Sequence, residues 1–522
     1  MHLLNDTLVW LMKRRMPRIE AFRREPVRAQ ERVFQRLIRA ARHTEWGKRY
    51  GYGSIKTIAE FQERVPVSTY EDFFPHIERV MRGEQNVLWN SPVRLFSKSS
   101  GTTNARSKFI PVSREALDTC HLQGGKDLMA LYVDNVPDTQ VFRGKGLSIG
   151  GSLSNNEFNP NSQVGDVSAV IMKNLPPWAQ AIRTPSLSVA LMDVWEEKIE
   201  RMAEETSQQN VTSILGVPTW TLVLIERILE KTGAKNILDV WPNFEVFCHG
   251  AVAFGPYRDL FANRVFAGKN EAAPPVRFLE SYNASEGFFG LQDDLSLPDE
   301  LLLMLDYGIF YEFIPTDELH NGDQAYPRAL TIGEVQPGQQ YAVVISTNAG
   351  LWRYAIGDTV RFTSTYPHRI KISGRTKHFI NAFGEEVIVE NAEWAIARAC
   401  EATGATVTDY TAAPVFMKSR QRGGHEWVIE FTRAPDNLNH FTNILDDSLR
   451  QVNSDYDAKR TANLALELPL VQVVPRGTFY EWLRRRGKLG GQHKVPRLSN
   501  SRELVEEILQ LAPDVDSGRV GV

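Results

Sequence analysis

"VTSILGVPTWTLVLIERILEKTG", residues 211–233, holds the pattern from which the fold of this 522-residue chain is read. "VTSIL" is a short run of the type that forms a buried strand, and "GVPTW" turns the chain. "TLVLIERILEKTG" keeps apolar residues at helical spacing and stops at Gly233, a residue suited to a helix end. The unit then repeats. "FEVFC" (244–248) reads as a second strand and "HGAVAFGPYRDLFANRV" as a turn and helix. "VRFLESY" (276–282) is a third strand, closing on the polar turn "NASEG". Strands alternating with helices predict an α/β domain around a largely parallel sheet, with binding loops at the carboxyl ends of its strands.

Outward from this unit the texture changes. After residue 300 the chain turns strand-rich, with "GIFYEFI", "YAVVIS", "TVRFTST" and "RIKIS", which predicts a smaller β-rich subdomain. "SGRTKHFINAFGEE" (373–386) is polar and carries glycine. A helical run (387–402), strands "TVTDYTAA" and "EWVIEFT", a helix over 437–452 and strand "LVQVV" follow. The fold class expected is α/β: a large N-terminal α/β domain with a β-rich subdomain, residues 1–374, and a small α+β C-terminal domain, residues 375–522. No internal repeat or low-complexity tract interrupts this order.

Composition narrows the function classes. Hydrophobic residues make up 42% and charged residues 24%, as in ordinary globular proteins. A formal net charge of −3 gives no global attraction to nucleic acid or an anionic membrane. Cys120, Cys248 and Cys400 are odd in number and far apart, which suits a reducing compartment and neither a disulfide framework nor a zinc site. "MHLLNDTLVWLMKRRMPR" places its basic residues after its apolar run, unlike a secretory signal, and no window has the roughly 18 apolar residues of a membrane span. A cytoplasmic location is the expectation. In "VRAQERVFQRLIRAARHT" (27–44), Val33, Leu37, Ala40 and Ala41 fall at helical spacing, with Arg28, Arg32, Arg39 and Arg42 between them. A solvated basic face on a packed helix is favoured there over a membrane-surface helix.

Four short segments could carry chemistry. "FSKSSGTTNARSKFIPVS" (96–113) sets Ser99, Ser100, Thr102 and Thr103 about Gly101, with Lys108 beyond. It is not a Walker loop, yet hydroxyls, successive backbone N–H groups and a lysine suit phosphate oxygens as well as a plain surface turn. "YNASEGFFG" (282–290) sets Tyr282 and Glu286 after a strand, where a ring can stack on a purine and a carboxylate can hold Mg²⁺. A core tyrosine and a solvated glutamate would give the same text. "WRYAIGDTVRF" (352–362) ends a strand in a Gly-Asp turn, and Asp358 there could accept both ribose hydroxyls. "GGQHKVPRL" (490–498) offers Lys494 in a glycine-led loop, a position that also suits a solubilising charge. A His-Glu-x-x-His zinc helix, a Cys-x-x-Cys pair and a Gly-x-Ser-x-Gly elbow are all missing from the sequence.

The order of these segments resembles the adenylate-forming superfamily, and within it the Gretchen Hagen-type acyl-acid amido synthetases, the auxin-responsive promoter family. "SSGTTNARSKFIP", "YNASEG" and "YAIGD" look like that family's three nucleotide motifs, and "STYEDFFPHIERVMRGE" and "HKVPR" extend the likeness along nearly the whole chain. The resemblance implies that Ser99, Ser100, Gly101, Thr102 and Thr103 grip the phosphates of ATP with Lys108 nearby. It implies that Gly250 and Ala251 border adenine and the acyl pocket, and that Tyr282 lies against the base with Ser285 close by. Glu286 would bind Mg²⁺, Asp358 the ribose and Arg375 its surroundings, while Lys494, on a mobile C-terminal domain, would reach the reacting carboxylate. The family commonly shows Tyr-Arg-x-Gly-Asp; Ala355 stands here in place of that arginine, which puts any contact the arginine makes in doubt. The activity implied is ATP-dependent formation of an acyl-adenylate from a carboxylic acid, then acyl transfer to an amine such as an amino acid. Transfer to coenzyme A and a non-catalytic nucleotide-binding role are the alternatives.

Overall fold

The alternation around residue 211 builds the centre of one long sheet. A computed structural model of the chain describes residues 2–99, 108–267, 276–319, 328–375, 379–417, 422–486 and 495–516. In chain order, β1 (Leu95–Ser99) and β2 (Lys108–Val112) pair antiparallel, with Ser99 opposite Lys108. β3 (Lys145–Ser148) lies in the main sheet, whereas β4 (Leu153–Asn156) and β5 (Asn159–Gly165) complete a small sheet ordered β2-β1-β5-β4. β6 (Arg183–Thr184), β7 (Val211–Leu215), β8 (Val246–Gly250) and β9 (Arg277–Ala284) run parallel with β3 in the order β6-β3-β7-β8-β9. β7 turns at Pro218, the first residue of helix Pro218–Thr232, and Gly233 ends that helix at φ 69°, its N–H reaching Leu229 O at 2.9 Å.

Two turns are placed differently from the expectation. β9 runs past Tyr282 to Ala284, and β10 (Gly287–Leu291) returns beside it, so the polar turn "NASEG" is a hairpin with Ser285 and Glu286 at its tip. From there the sheet is antiparallel. β11 (Leu301–Leu303), β12 (Ile309–Pro315), β13 (Gln340–Thr347), β14 (Tyr354–Thr365) and β15 (His368–Arg375) extend it in the order β12-β13-β14-β15-β11-β10-β9. The β-rich subdomain therefore shares its sheet with the parallel part. "GD" is also no strand end. β14 passes straight through Gly357, which sits at φ 89° where the register against β13 slips. The bulge re-aims Asp358 while the strand continues beyond it.

The C-terminal unit follows its expected order. β16 (Phe379–Ile380) and β17 (Val387–Ile388) form a small pair, and helix Val389–Thr403 ends at Gly404. β18 (Thr406–Val415), β19 (Gly424–Arg433) and β20 (Leu470–Val474) make a three-stranded sheet, with helix Leu438–Val452 between the last two. One apolar cluster joins helix Pro218–Thr232 to this unit through Phe383, Val387, Ala392 and Leu445. That double contact explains why Leu222, Val223, Leu224 and Ile225 are all buried. Helix Pro26–Ala41 buries Val33, Leu37 and Ala41, and Arg28, Arg32, Arg39 and Arg42 face solvent, the solvated basic face expected. The three cysteines are free thiols, and no helix among the described residues is long and apolar enough to cross a membrane.

Candidate active site: a cleft at the carboxyl edge of the sheet

Where β7, β8 and β9 end, a cleft of about 1190 Å³ opens. Ser99, Lys108, Gly250, Ala251, Tyr282, Ser285, Glu286, Asp358 and Arg375 all line it, although they span 277 positions of sequence (99 to 375). Ser100, Gly101, Thr102, Thr103 and Lys494 lie outside the described residues; the strands that flank the first four bring their ends to the cleft at Ser99 and Lys108.

Asp358 ties the site together. Its Oδ1 accepts from Arg375 Nε at 2.7 Å, and its Oδ2 accepts from the Tyr282 hydroxyl. Burial, and then the facing carboxylate, push the Tyr282 phenol well above its ordinary value, so it donates at any physiological pH. Arg375 also stands 3.7 Å from Glu386 and lies over the Phe379 ring. The arginine thus links the sheet to the segment that opens the C-terminal unit. Arg353 does not make up for the arginine missing at Ala355: it points into the core, where Glu312 and the carbonyls of Gln62 and Val65 hold it.

Glu286 crowns the hairpin tip. Burial raises its carboxyl, and the nearby Lys108 ammonium opposes that rise. No ion pair to Glu286 forms among the described residues, so its charge is available to a ligand. No cluster of three His, Cys, Asp or Glu able to hold a metal occurs among the described residues. Mg²⁺ fits such a site when one carboxylate is joined by substrate phosphates.

The wall at Gly250 and Ala251 is shaped by close backbone approach. A Cβ on Gly250 would meet Ser281 O at 2.3 Å, and Ala251 holds the left-handed φ of 69°. Asn381 Nδ2 donates to Ala251 O at 3.0 Å from beyond β15. Behind the wall, the His249 ring stacks on Phe254 at 3.8 Å, and burial pulls its pKa down to about 3. Unfolded, that ring takes a proton near pH 6.5; folded, it stays neutral, so stability falls as pH drops below about 6.5. Between pH 7 and 5 the loss is about 2 kcal/mol for this ring. His249→Leu is expected to remove that share of the pH dependence, read by urea denaturation at the two pH values.

Sequence reasoning missed Lys198. Its Nζ donates to the carbonyls of Gly150 (2.5 Å), Gly151 (2.9 Å) and Met192 (3.1 Å), and burial lowers its pKa to about 8. It pins the loop after β3 that lines the cleft, while Asp166 accepts the Ser152 N–H on the other side. The signal was present: Lys198, Met202 and Thr206 lie four residues apart on the buried stripe of helix Trp195–Ser207. Lys198→Met strands three carbonyls at roughly 1–3 kcal/mol for each one left buried. A loss of about 2–4 kcal/mol of stability is expected from urea denaturation.

The sheet is parallel at one end and antiparallel at the other, and residues of three of the four segments singled out in the sequence meet in one cleft at its carboxyl edge. The GH3 family N-terminal domain matches residues 15–270, the GH3 central domain 302–375 and the GH3 C-terminal domain 390–503. The chain belongs to the GH3 family. A jasmonoyl–L-amino acid synthetase of Nicotiana attenuata is 23% identical to it over 548 residues, 92% of each chain. An indole-3-acetic acid-amido synthetase of Arabidopsis thaliana is also 23% identical, over 92% of this chain and 90% of its own. Among solved structures, an acyl acid amido synthetase in complex with 2,4-DB superposes with a TM-score of 0.61 at 18% identity, covering 96% of both chains. A 2-hydroxyisobutyryl-CoA ligase holding its acyl-AMP and CoA gives 0.55 at 12% identity, over 94% of this chain and 93% of its own. The family makes the chain an amide-forming ligase.

Proposed function

We propose that this ligase activates a carboxylic acid with ATP and Mg²⁺ and passes the acyl group to an amino acid. The observation that carries the reading is the meeting of Lys108, Tyr282, Glu286, Asp358 and Arg375 in one cleft. Ser99, Ser100, Gly101, Thr102 and Thr103 wrap the phosphates with Lys108. Tyr282 and the Gly250–Ala251 wall flank adenine, Ser285 lies beside them, and Asp358 takes the ribose hydroxyls. Glu286 would hold Mg²⁺, which would supply neutralisation of the phosphate charge. Residues 375–522 form the moving unit that delivers Lys494.

A carboxylate oxygen attacks the α-phosphorus, the bond to the β-phosphate oxygen breaks, and pyrophosphate leaves. Charge building on the α-phosphate is met by Lys494, a donor preorganised for it. The amine nitrogen then attacks the acyl carbon, the bond from that carbon to the AMP oxygen breaks with its electron pair, and the nitrogen loses a proton. Holding amine and acyl-adenylate together is chiefly an entropic gain, which the enclosed cleft can provide. Three free thiols suit a reducing cytoplasm.

Pyrophosphate exchange across a panel of carboxylic acids tests the first half. An acid that supports exchange, then an amide seen by mass with amino acids present, is the expected pair of results. ADP and phosphate as products would overturn the adenylation, and a coenzyme A thioester without amide would overturn the acceptor.

A further inference from the structure

Six cations line the cleft within the described residues: Lys98, Lys108, Lys126, Lys371, Arg375 and Lys459. Lys459 alone among them is buried, at 5% exposure. Arg375 is neutralised by Asp358, and Lys371 lies 3.8 Å from Glu300. Lys459 has no ion pair with any described residue. Its Nζ donates to Asp455 O in its own helix at 3.2 Å and stands 5.9 Å from the centre of the Trp220 indole. Burying an ammonium without a counter-ion is unfavourable, and one carbonyl and a distant ring face offset little of that. A ligand anion entering the cleft would complete the site.

Which anion it is follows from position. Lys459 comes from helix Ser454–Arg460 of the C-terminal unit, whereas Lys108, Tyr282, Asp358 and Arg375 sit on strands. Apolar groups stand close to it: the Trp220 ring is 5.9 Å from Nζ, and a Cβ on Gly384 would meet Lys459 Cε at 3.3 Å and Val217 Cγ1 at 3.9 Å, with Ser454 and Asp455 of its own helix as the polar neighbours along the cleft. Trp220 itself is stacked on Trp195 at 3.9 Å. A buried cation beside an apolar wall, facing a cleft where an amine must arrive, matches an amino acid with a free carboxylate and an apolar side chain. We propose that Lys459 holds the carboxylate of the acceptor and so selects amino acids over simple amines. The assignment rests on the amide-forming reading above.

Leucine and 3-methylbutylamine, which differ by that carboxylate, make the test. Pyrophosphate exchange, which needs no acceptor, reports whether a variant is folded. For Lys459→Met, the ratio of kcat/KM for leucine to that for 3-methylbutylamine should fall at least 30-fold, through KM for leucine. Lys459→Arg, which keeps the charge, should retain most of the preference. Equal losses with both acceptors, or an unchanged ratio, overturn the assignment. Should Lys459→Met fail to support exchange, Lys459→Gln against Lys459→Arg decides by the same ratio. A wild-type enzyme that makes thioester and no amide from any amine overturns the proposed function instead, a result distinct from a failed ratio.

Discussion

Lys494→Ala is expected to slow acyl-adenylate formation by roughly 10²-fold or more, the scale of one lost electrostatic group at a developing charge. ATP affinity should change much less, because a charge delivered late stabilises the transition state more than the bound nucleotide. The flanking chain makes the delivery reasonable. Val495 is buried, Thr411 Oγ1 donates to Pro496 O at 2.7 Å, and the backbone of residues 497 and 499 bonds to Ala412 of β18. Asn500 lines the cleft and accepts from the Asn381 N–H at 2.7 Å. Lys494 precedes Asn500 by six positions, at most about 22 Å of extended chain. The second half-reaction gives the sharper measurement, since the lysine has no work left once the adenylate exists. Supplied with a synthetic acyl-adenylate and the amine, Lys494→Ala should form amide at near wild-type speed. A folded variant that binds AMP but fails this bypass assigns the lysine another role, and intact adenylation would make Lys494 a surface charge.

Much of this architecture is legible in the sequence because the relevant signals are local. β7, the helix to Thr232 and its stop at Gly233 are set by a buried run, a proline and a glycine within 23 residues. The hairpin at Ser285–Glu286 is not legible in the same way. "NASEG" suits a loop before a helix equally well, and what decides is that β9 finds a partner in β10. Gly357 misleads for a related reason: Gly-Asp marks turns, but a glycine at positive φ inside a paired strand gives a bulge. The site motifs are readable as an ordered set, whereas the partners of Asp358 are not, because Tyr282 and Arg375 meet it only through strand pairing across the sheet. Lys198 and Lys459 illustrate the remaining gap. A lysine is assigned to solvent by default, and only the packed structure shows which ones are enclosed.

Asp358→Ala should weaken nucleotide binding by at least tenfold, and by more than about a hundredfold if both ribose hydroxyls depend on this carboxylate. Each charge-assisted hydrogen bond is worth about 1.5–3 kcal/mol, and two would be lost. The structure adds a second consequence. Asp358 also accepts the Tyr282 hydroxyl and neutralises Arg375, so its removal takes the acceptor from a buried phenol and leaves the guanidinium, among the described residues, with Glu386 as its remaining carboxylate. Stability should therefore fall by about 1–3 kcal/mol, the usual cost of a stranded buried polar group. Asp358→Asn separates the two effects. The amide keeps the side chain's shape: its oxygen can accept from Arg375 and its NH2 can donate to the Tyr282 oxygen, so stability should largely return, while the charge offered to the ribose does not. Titration calorimetry with AMP and with adenine alone, on both variants, distinguishes a ribose contact from a general collapse of the site. AMP should lose affinity in both variants and adenine should lose little in Asp358→Asn. Unchanged AMP affinity in folded Asp358→Asn and Asp358→Ala would remove Asp358 from the nucleotide site and leave it a structural clamp between Tyr282 and Arg375.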